Sequence, residues 1–343
     1  MAADKGVQEL LSTCNGEKHL RNQLDSIFGQ TIADRICVLV RDDGSTDGTR
    51  DILRSYEGRP GFQVEYAGNI GITGSYMWLL ERSDPECTYV ATCDQDDVWL
   101  PEKLETAVQA LSAGDGRRPR LFTSVSELVD DSLNHLGYSA TSEAHISFHN
   151  AMVENVCPGH TYVLNRSLVE AVLRSKGATN VLVMDWWIYL IAAGLCEVVF
   201  STEAFVRHRQ HARNAVGYDT SLWGALVSQF YRLRTGTQSA VSRQLAAFSH
   251  YYEEEIPAQY RKELPGFLGA LPFIGSRIRY LTDGKVYRQS KSKTHIMKFM
   301  YLLGVLKSGN EQNDTHSGGM SGSDTFGSGW CFGATSVQKW NRL

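Results

Sequence analysis

Three carboxylates crowd into four consecutive positions at Asp94-Gln95-Asp96-Asp97. Neighbouring carboxylates repel, and each raises the pKa of the others, so packing alone gives no reason for the cluster. A divalent cation would relieve that repulsion, and hard oxygen ligands suit Mg2+ or Mn2+. The bland alternative is a solvated acidic turn ahead of a helix. Upstream, Thr88 to Cys93 is an apolar, β-branched and aromatic run that reads as a strand. Downstream, Pro101 suits the first turn of a helix, and Leu104, Ala107, Val108 and Leu111 give that helix one apolar face. The acids therefore sit where a buried strand has ended and a helix has not begun.

Other residues able to do chemistry fall at comparable places. Thr13-Cys14-Asn15 ends the apolar run from Val7, and Asp42-Asp43-Gly44-Ser45 ends the run from Ile36. Asn69-Ile70-Gly71 follows a short strand pattern at Gln63 to Tyr66. Asp185 stands in Met184-Asp185-Trp186-Trp187, inside a nearly unbroken apolar stretch. An acid in a helix's first turn is favoured by the helix dipole, yet a charge among apolar neighbours also suggests a purpose. Arg207 to Asn214 is dense in cations and ligating groups, including Arg209 and His211, and can close a phosphate or metal site or form a solvated edge.

The elements that must hold these residues alternate. Strands are expected at 7–13, 36–40, 63–66 and 88–93, separated by amphipathic helices over about 17–30, near 52–56, after Gly71 and from Pro101. Ser45 or Thr46 can cap the second helix. That alternation predicts βαβ units and a parallel sheet, in which ligands bind outside the carboxyl ends of the strands. Thr13–Asn15, Asp42–Ser45, Asn69–Gly71 and Asp94–Asp97 all map to that edge. No G-x-G-x-x-G follows the first strand and no Walker A lysine motif occurs, which weakens dinucleotide and P-loop readings. Further strands are expected at 120–124, 162–164, 197–201 and 204–207, and helices at 165–174 and 182–193. Residues 126–151, with His135, His145 and His149, read as a solvated loop over the sheet.

Composition bounds the rest. The 343 residues are 42% hydrophobic and 21% charged, which is ordinary for a globular protein, and the net charge of −4 gives no general affinity for nucleic acid. Seven scattered cysteines without C-x-x-C pairs argue for a reducing cytosol and against structural zinc. The first residues carry no secretory pattern. Val181 to Phe200 has the length of a membrane span, but Asp185 and Glu197 make a buried helix and strand the better reading. From Leu222 to Leu306 the pattern is helical, and between 265 and 306 basic and apolar residues interleave. Such a segment can be a solvated face or can rest on an anionic membrane. Residues 308–343 open with a Gly/Ser/Asn/Asp-rich run expected to be disordered.

In combination these segments resemble the family 2 glycosyltransferases, in their bacterial rhamnosyltransferase-like branch. The resemblance rests on Ser12 to Glu17, Gln30-Thr31, Arg41 to Thr49, Asn69-Ile70-Gly71, Cys93 to Pro101, Pro158-Gly159, Asp185-Trp186-Trp187 and Arg209-Gln210-His211, and spans roughly residues 7 to 218. It implies a GT-A fold, an α/β unit with a Rossmann-like, mostly parallel sheet flanked by helices, in residues 1–220. A helical C-terminal extension at 221–307 and a disordered tail would follow. It also implies inverting transfer from a nucleoside diphosphate sugar to a hydroxyl of a glycan or lipid-linked acceptor. Thr13, Asn15, Asp42, Asp43, Asn69, Gly71, Asp94, Gln95, Asp96 and Arg209 would bind the nucleotide-sugar. Asp96 foremost, with Asp94, Asp97 and His211, would ligate the metal, and Asp185 would be the general base. Met184 departs from the branch, which often has histidine there. A nucleotidyltransferase would want a glycine-rich loop with a lysine after the first strand, which Asn15-Gly16-Glu17-Lys18 imitates poorly. A silent sugar-nucleotide-binding module would be expected to lose Asp96 or Asp185, and both are present. The expected location is the cytoplasm, with peripheral contact at the inner face of the membrane and a homo-oligomer both open.

Overall fold

A computed structural model describes residues 6–114, 116–139, 146–178, 181–210, 237–268, 274–283 and 285–302. The chain runs β1 (Val7–Thr13), α1 (Leu20–Phe28), β2 (Ile36–Asp43), α2 (Thr49–Arg54), β3 (Phe62–Ala67), α3 (Gly71–Glu81) and β4 (Tyr89–Cys93). It continues through β5 (Val98–Trp99), α4 (Lys103–Ser112), β6 (Arg120–Val129), β7 (His135–Tyr138), α5 (Phe148–Ala151), β8 (Val163–Asn165) and α6 (Arg166–Arg174). Then come α7 (Met184–Leu195), β9 (Glu197–Arg209), α8 (Thr237–Tyr252), α9 (Ala258–Leu268), α10 (Ile274–Asp283) and α11 (Lys291–Leu302).

The strands form one sheet in the order β3-β2-β1-β4-β8-β6-β9-β5, with β7 added beside β6. β3, β2, β1 and β4 are parallel, as the βαβ series requires. Every residue of β1 is buried, because helices cover both faces of the sheet. Leu10 faces the core built with α3, α6 and α7, and Leu11 the core built with α1 and α4. β8 then reverses direction against both β4 and β6. Beyond it β6 and β9 run parallel, so the sheet is mixed rather than uniform.

The structure corrects several expectations. β6 does not stop at Ser124 but continues to Val129, and β7 pairs with it, so 126–138 is a paired hairpin rather than a solvated loop. His149 bonds Glu263 and stacks edge-on against Tyr260. The two strands expected at 197–207 are one, with a register shift opposite Ser124 to Ser126 that the spacing read as a break. Val98-Trp99 forms a two-residue strand against β9, too short for any periodicity to reveal. Neither Ser45 nor Thr46 caps α2; Asp47 Oδ1 accepts from the Thr49 N–H at 3.0 Å. The helix expected near 222–234, His145, His211 and the tail from 308 lie outside the described residues.

The C-terminal helices share the core of the sheet unit. Trp187 of α7 is fully buried and meets Phe248 of α8 edge to face at a centroid distance of 6.3 Å. Its indole N–H donates to Ser175 Oγ at 2.9 Å, so the ring's one polar atom is satisfied.

Candidate active site

The carboxyl ends of β1, β2 and β4 carry a zipped floor. Gln95 Oε1 accepts from Thr13 Oγ1 at 2.6 Å and from the Cys14 N–H at 2.9 Å, and Gln95 Nε2 donates to the Cys14 carbonyl. Asn15 adopts φ 52°, a left-handed conformation that asparagine tolerates better than most residues. Its N–H reaches Ser45 Oγ and its Oδ1 accepts from the Thr46 N–H, joining the loops after β1 and β2.

Asp42 and Asp43 are buried and occupied. Asp42 accepts from Ser45 N–H and from Arg50 Nε at 2.6 Å. Asp43 accepts from the N–H groups of Ile70 and Gly71 at 2.8 and 3.0 Å, and from buried Arg41. Its carboxylate thus sits on the first turn of α3, where both orphan amides and the helix dipole favour an anion. Gly71 makes this possible at φ 78°. Asn69 Nδ2 donates to the Asp43 carbonyl at 3.0 Å.

The second half of the site is built differently. Asp94, Asp97, His160 and His208 bring one ligand atom each to within 4.8 Å of one another. Asp97 lies on the turn between β4 and β5, and His208 on β9, which β5 pairs directly; His160 lies on the 3₁₀ turn Gly159–Thr161 before β8. Asp97 is fully buried, and its Oδ1 accepts from His208 Nδ1 at 2.9 Å and from the Arg209 N–H at 3.3 Å. Asp97 Oδ2 is buried without a hydrogen-bond partner. The rings of His160 and His208 stack at 4.2 Å and 6°. His160 Nε2 shares a hydrogen bond with Ser126 Oγ at 2.8 Å, and its Nδ1 stands 3.6 Å from Asp94 Oδ2.

Electrostatics pull these four apart. Burial and the carboxylates of Asp97 and Asp96 raise the Asp94 carboxyl, and burial raises Asp97 against the pull of His208. Burial lowers His208, but the carboxylates of Asp97 and Asp94 outweigh it and bring its pKa to about 9. His160, buried and stacked on that cation, falls well below the usual histidine range. Two carboxylates, two imidazoles and one orphaned buried oxygen fit a divalent cation, with mixed N/O ligands favouring Mn2+ over Mg2+.

Asp96, the first choice from the sequence, is half-buried beside Asp94 and Asp97 and is not among the four clustered groups. His160 carries no signal in the sequence, because no spacing joins it to Asp94; His208 lies in the Arg207–Asn214 segment that can close a phosphate or metal site, although His211 is the histidine singled out there. Arg209 is buried, and its Nη1 donates to the Asp131 carbonyl.

Asp185 opens α7 with its Oδ1 accepting from the Trp186 N–H at 2.7 Å. Burial raises its carboxyl, while hydrogen bonds from Trp186, Asn155 and Gly159 hold it back. A Cβ on Gly159 would come within 2.9 Å of Asp185 Cβ, so only glycine lets this turn pass the acid. The same turn carries His160, and Asp185 is close enough to raise Asp94. One short turn therefore spaces the acid from the cluster.

Residues 10–142 match the family described as glycosyl transferase family 2. RfbG, a dTDP-rhamnosyl transferase of Shigella flexneri, is 27% identical over 321 residues, covering 85% of this chain and 99% of that protein. TuaG of Bacillus subtilis, a putative teichuronic acid biosynthesis glycosyltransferase, is 33% identical over 105 residues, 30% of this chain and 40% of that protein. The crystal structure of S. aureus TarS 1–349 in complex with UDP-GlcNAc superposes with a TM-score of 0.54 at 14% identity, covering 88% of this chain and 81% of that one. The mixed sheet with flanking helices is a GT-A fold, and the protein is a glycosyltransferase. The match to glycosyl transferase family 2 runs from within β1 through β7 and takes in the Asp94–Asp97 turn.

Proposed function

We propose that the enzyme moves a sugar, with inversion, from a dTDP- or UDP-sugar to a hydroxyl of a cell-surface polysaccharide or lipid-linked glycan. Rhamnose is the favoured sugar, because RfbG is a dTDP-rhamnosyl transferase similar over most of the chain. The observation that carries the reading is the convergence, at one sheet edge, of a cation-fitting cluster and an acid spaced from it by Gly159.

In this reading Thr13, Asn15, Asp42, Asp43, Asn69, Gly71 and Gln95 form the nucleotide floor. Most of their polar atoms are already bonded within the protein, so they hold its shape as much as they contact the donor. Asp94, Asp97, His160 and His208 would hold Mg2+ or Mn2+, with Asp96 beside them, His211 a further candidate and Arg209 adding positive charge at the same edge. A bound cation would neutralise the charge that develops on the departing diphosphate. Asp185 accepts the proton of the acceptor hydroxyl as that oxygen attacks the anomeric carbon and the bond to diphosphate breaks. Burial makes Asp185 a stronger base than a solvated carboxylate, and its hydrogen bonds from Trp186 and Gly159 keep it ionised and aimed. Residues 1–220 would form the transfer unit and 221–307 its helical extension, acting in the cytoplasm, where a nucleotide-sugar is available.

Thermal melting with a panel of nucleoside diphosphates, with and without manganese, tests this directly. A ligand that binds only the folded chain at about a hundred times its Kd adds roughly 2.7 kcal/mol, several degrees of Tm. Manganese-dependent stabilisation by dTDP or UDP is expected. No response to any nucleotide would remove the donor site and the roles above.

A further inference from the structure

The last two helices have two unlike faces, and sugar transfer accounts for neither their charge nor their exposed side chains. The inner face is ordinary core: Tyr301 of α11 and the adjoining Val286 are buried, and Leu281 and Met297 pack against the cluster that holds Trp187. The outer face leaves Ile274 67%, Ile278 49% and Phe299 61% exposed. Ile274 and Ile278 are one turn apart on α10, so they share a side of it. Lys291, His295 and Phe299 recur at the same spacing on α11, and all three are exposed.

Residues 274–302 hold seven basic side chains and one acid, Asp283, in a chain whose net charge is −4, and one of the seven, Arg288, is taken up by an ion pair with Glu154. One helix pair is thus strongly positive while the rest of the molecule is negative. A single exposed apolar residue needs no account, but three on two adjoining cationic helices do. Arg277 Nη1 donates to the Leu302 carbonyl at 3.0 Å and ties the two helices together.

We propose that α10 and α11 form a docking face for an anionic membrane surface, with Ile274, Ile278 and Phe299 entering the headgroup layer. Arg279, Lys291 and Lys298 would lie against lipid phosphates. A second copy of this chain is a poor occupant, because an isologous contact would set the two cationic faces against each other. Among the described residues no helix is long and apolar enough to cross a membrane, so the pair lies on the bilayer rather than in it. This surface goes beyond the transfer chemistry and does not depend on it.

The test is co-sedimentation of the full chain with phosphatidylcholine vesicles, with and without phosphatidylglycerol. Binding only to the anionic vesicles, weakening as salt rises, is expected. Each removed charge should lower the partition coefficient about fivefold, so Lys291→Gln with Lys298→Gln should lower it roughly 25-fold. Ile278→Ser with Phe299→Ser should lose binding while keeping a cooperative melting transition near that of the wild type, which shows that the variant folds. Sedimentation equal with both lipids, or unchanged in both double variants, overturns the proposal. A fall in solution mass of the apolar variant by light scattering, without vesicle binding by the wild type, would instead assign the face to self-association and also overturn it.

Discussion

The two halves of the site differ in how complete they are. At the floor formed by the ends of β1, β2 and β4, Asp42, Asp43, Asn15 and Gln95 have protein partners at normal hydrogen-bond lengths. At the cluster, Asp97 Oδ2 has none, and four titratable groups crowd within 4.8 Å. Satisfied polar groups rigidify, whereas an orphaned buried carboxylate oxygen costs about 1–3 kcal/mol or more until something binds it. The floor is therefore scaffold that stands ready without ligand, and the cluster is an arrangement that gains most when a cation arrives.

That contrast is broken most sharply at Asp185. Asp185→Asn keeps the size and the Trp186 hydrogen bond but removes the base, so transfer should fall about 10²–10⁴-fold. Donor binding, read by the nucleotide-dependent Tm shift, should be unchanged; loss of both would move Asp185 into the donor site.

Next in size are the two histidines. His160→Gln or His208→Gln should raise the manganese concentration needed for half-maximal stabilisation by nucleotide by about 10–100-fold, a loss of the kind seen when metal-supporting residues are removed. Asn15→Ala, in the floor, should leave that manganese concentration alone while lowering Tm. Because His208 carries a proton up to a pH of about 9, a cation must displace it, and wild-type manganese affinity should climb between pH 7 and 9. In His208→Gln the slope should lessen rather than vanish, because the Asp94 carboxyl, raised to about 8, also holds a proton that a cation must displace. Gly159→Ala should act through position alone, since a new Cβ 2.9 Å from Asp185 Cβ forces the turn and the acid apart by about half an ångström or more. kcat should drop several-fold with little change in the Tm shift.

The sequence reveals the floor and leaves the histidines of the cluster unassigned for a physical reason. Thr13, Asp42, Asn69 and Asp94 end strands of a βαβ series, and strand ends in such sheets meet at one edge whatever the details. His160 and His208 reach that edge only because β8 reverses direction and β9 runs through a register shift, and neither event leaves a periodic trace. Met184, which departs from the family pattern, is buried in the α7 core beside Asp185, where it packs rather than contacts polar groups. The same short-range blindness missed β5, whose pairing with β9 is what brings Asp97 to His208.

The effect expected on stability alone, with none on transfer, lies just behind the site. Glu9 of β1 and Lys103 of α4 are fully buried, with Lys103 Nζ 3.1 Å from the Trp99 ring centroid and neither side chain hydrogen-bonded. Burial raises the Glu9 carboxyl to about 8, against the pull of Lys103, and lowers the Lys103 ammonium to about 8, against the pull of Glu9. Between the ordinary glutamate pKa and 8 the folded chain binds the extra proton on Glu9, so stability present in acid is lost as pH rises through that window. Between 8 and the ordinary lysine pKa the unfolded chain binds the extra proton on Lys103, so stability recovers. Melting temperature should therefore pass through a minimum near pH 8. Glu9→Gln has no carboxyl to titrate, so the fall between pH 5 and 8 should disappear while the rise above 8 remains. A wild-type curve flat from pH 5 to 10 would mean that neither group titrates within the core, and this pair would then belong with the satisfied floor rather than with the cluster in front of it.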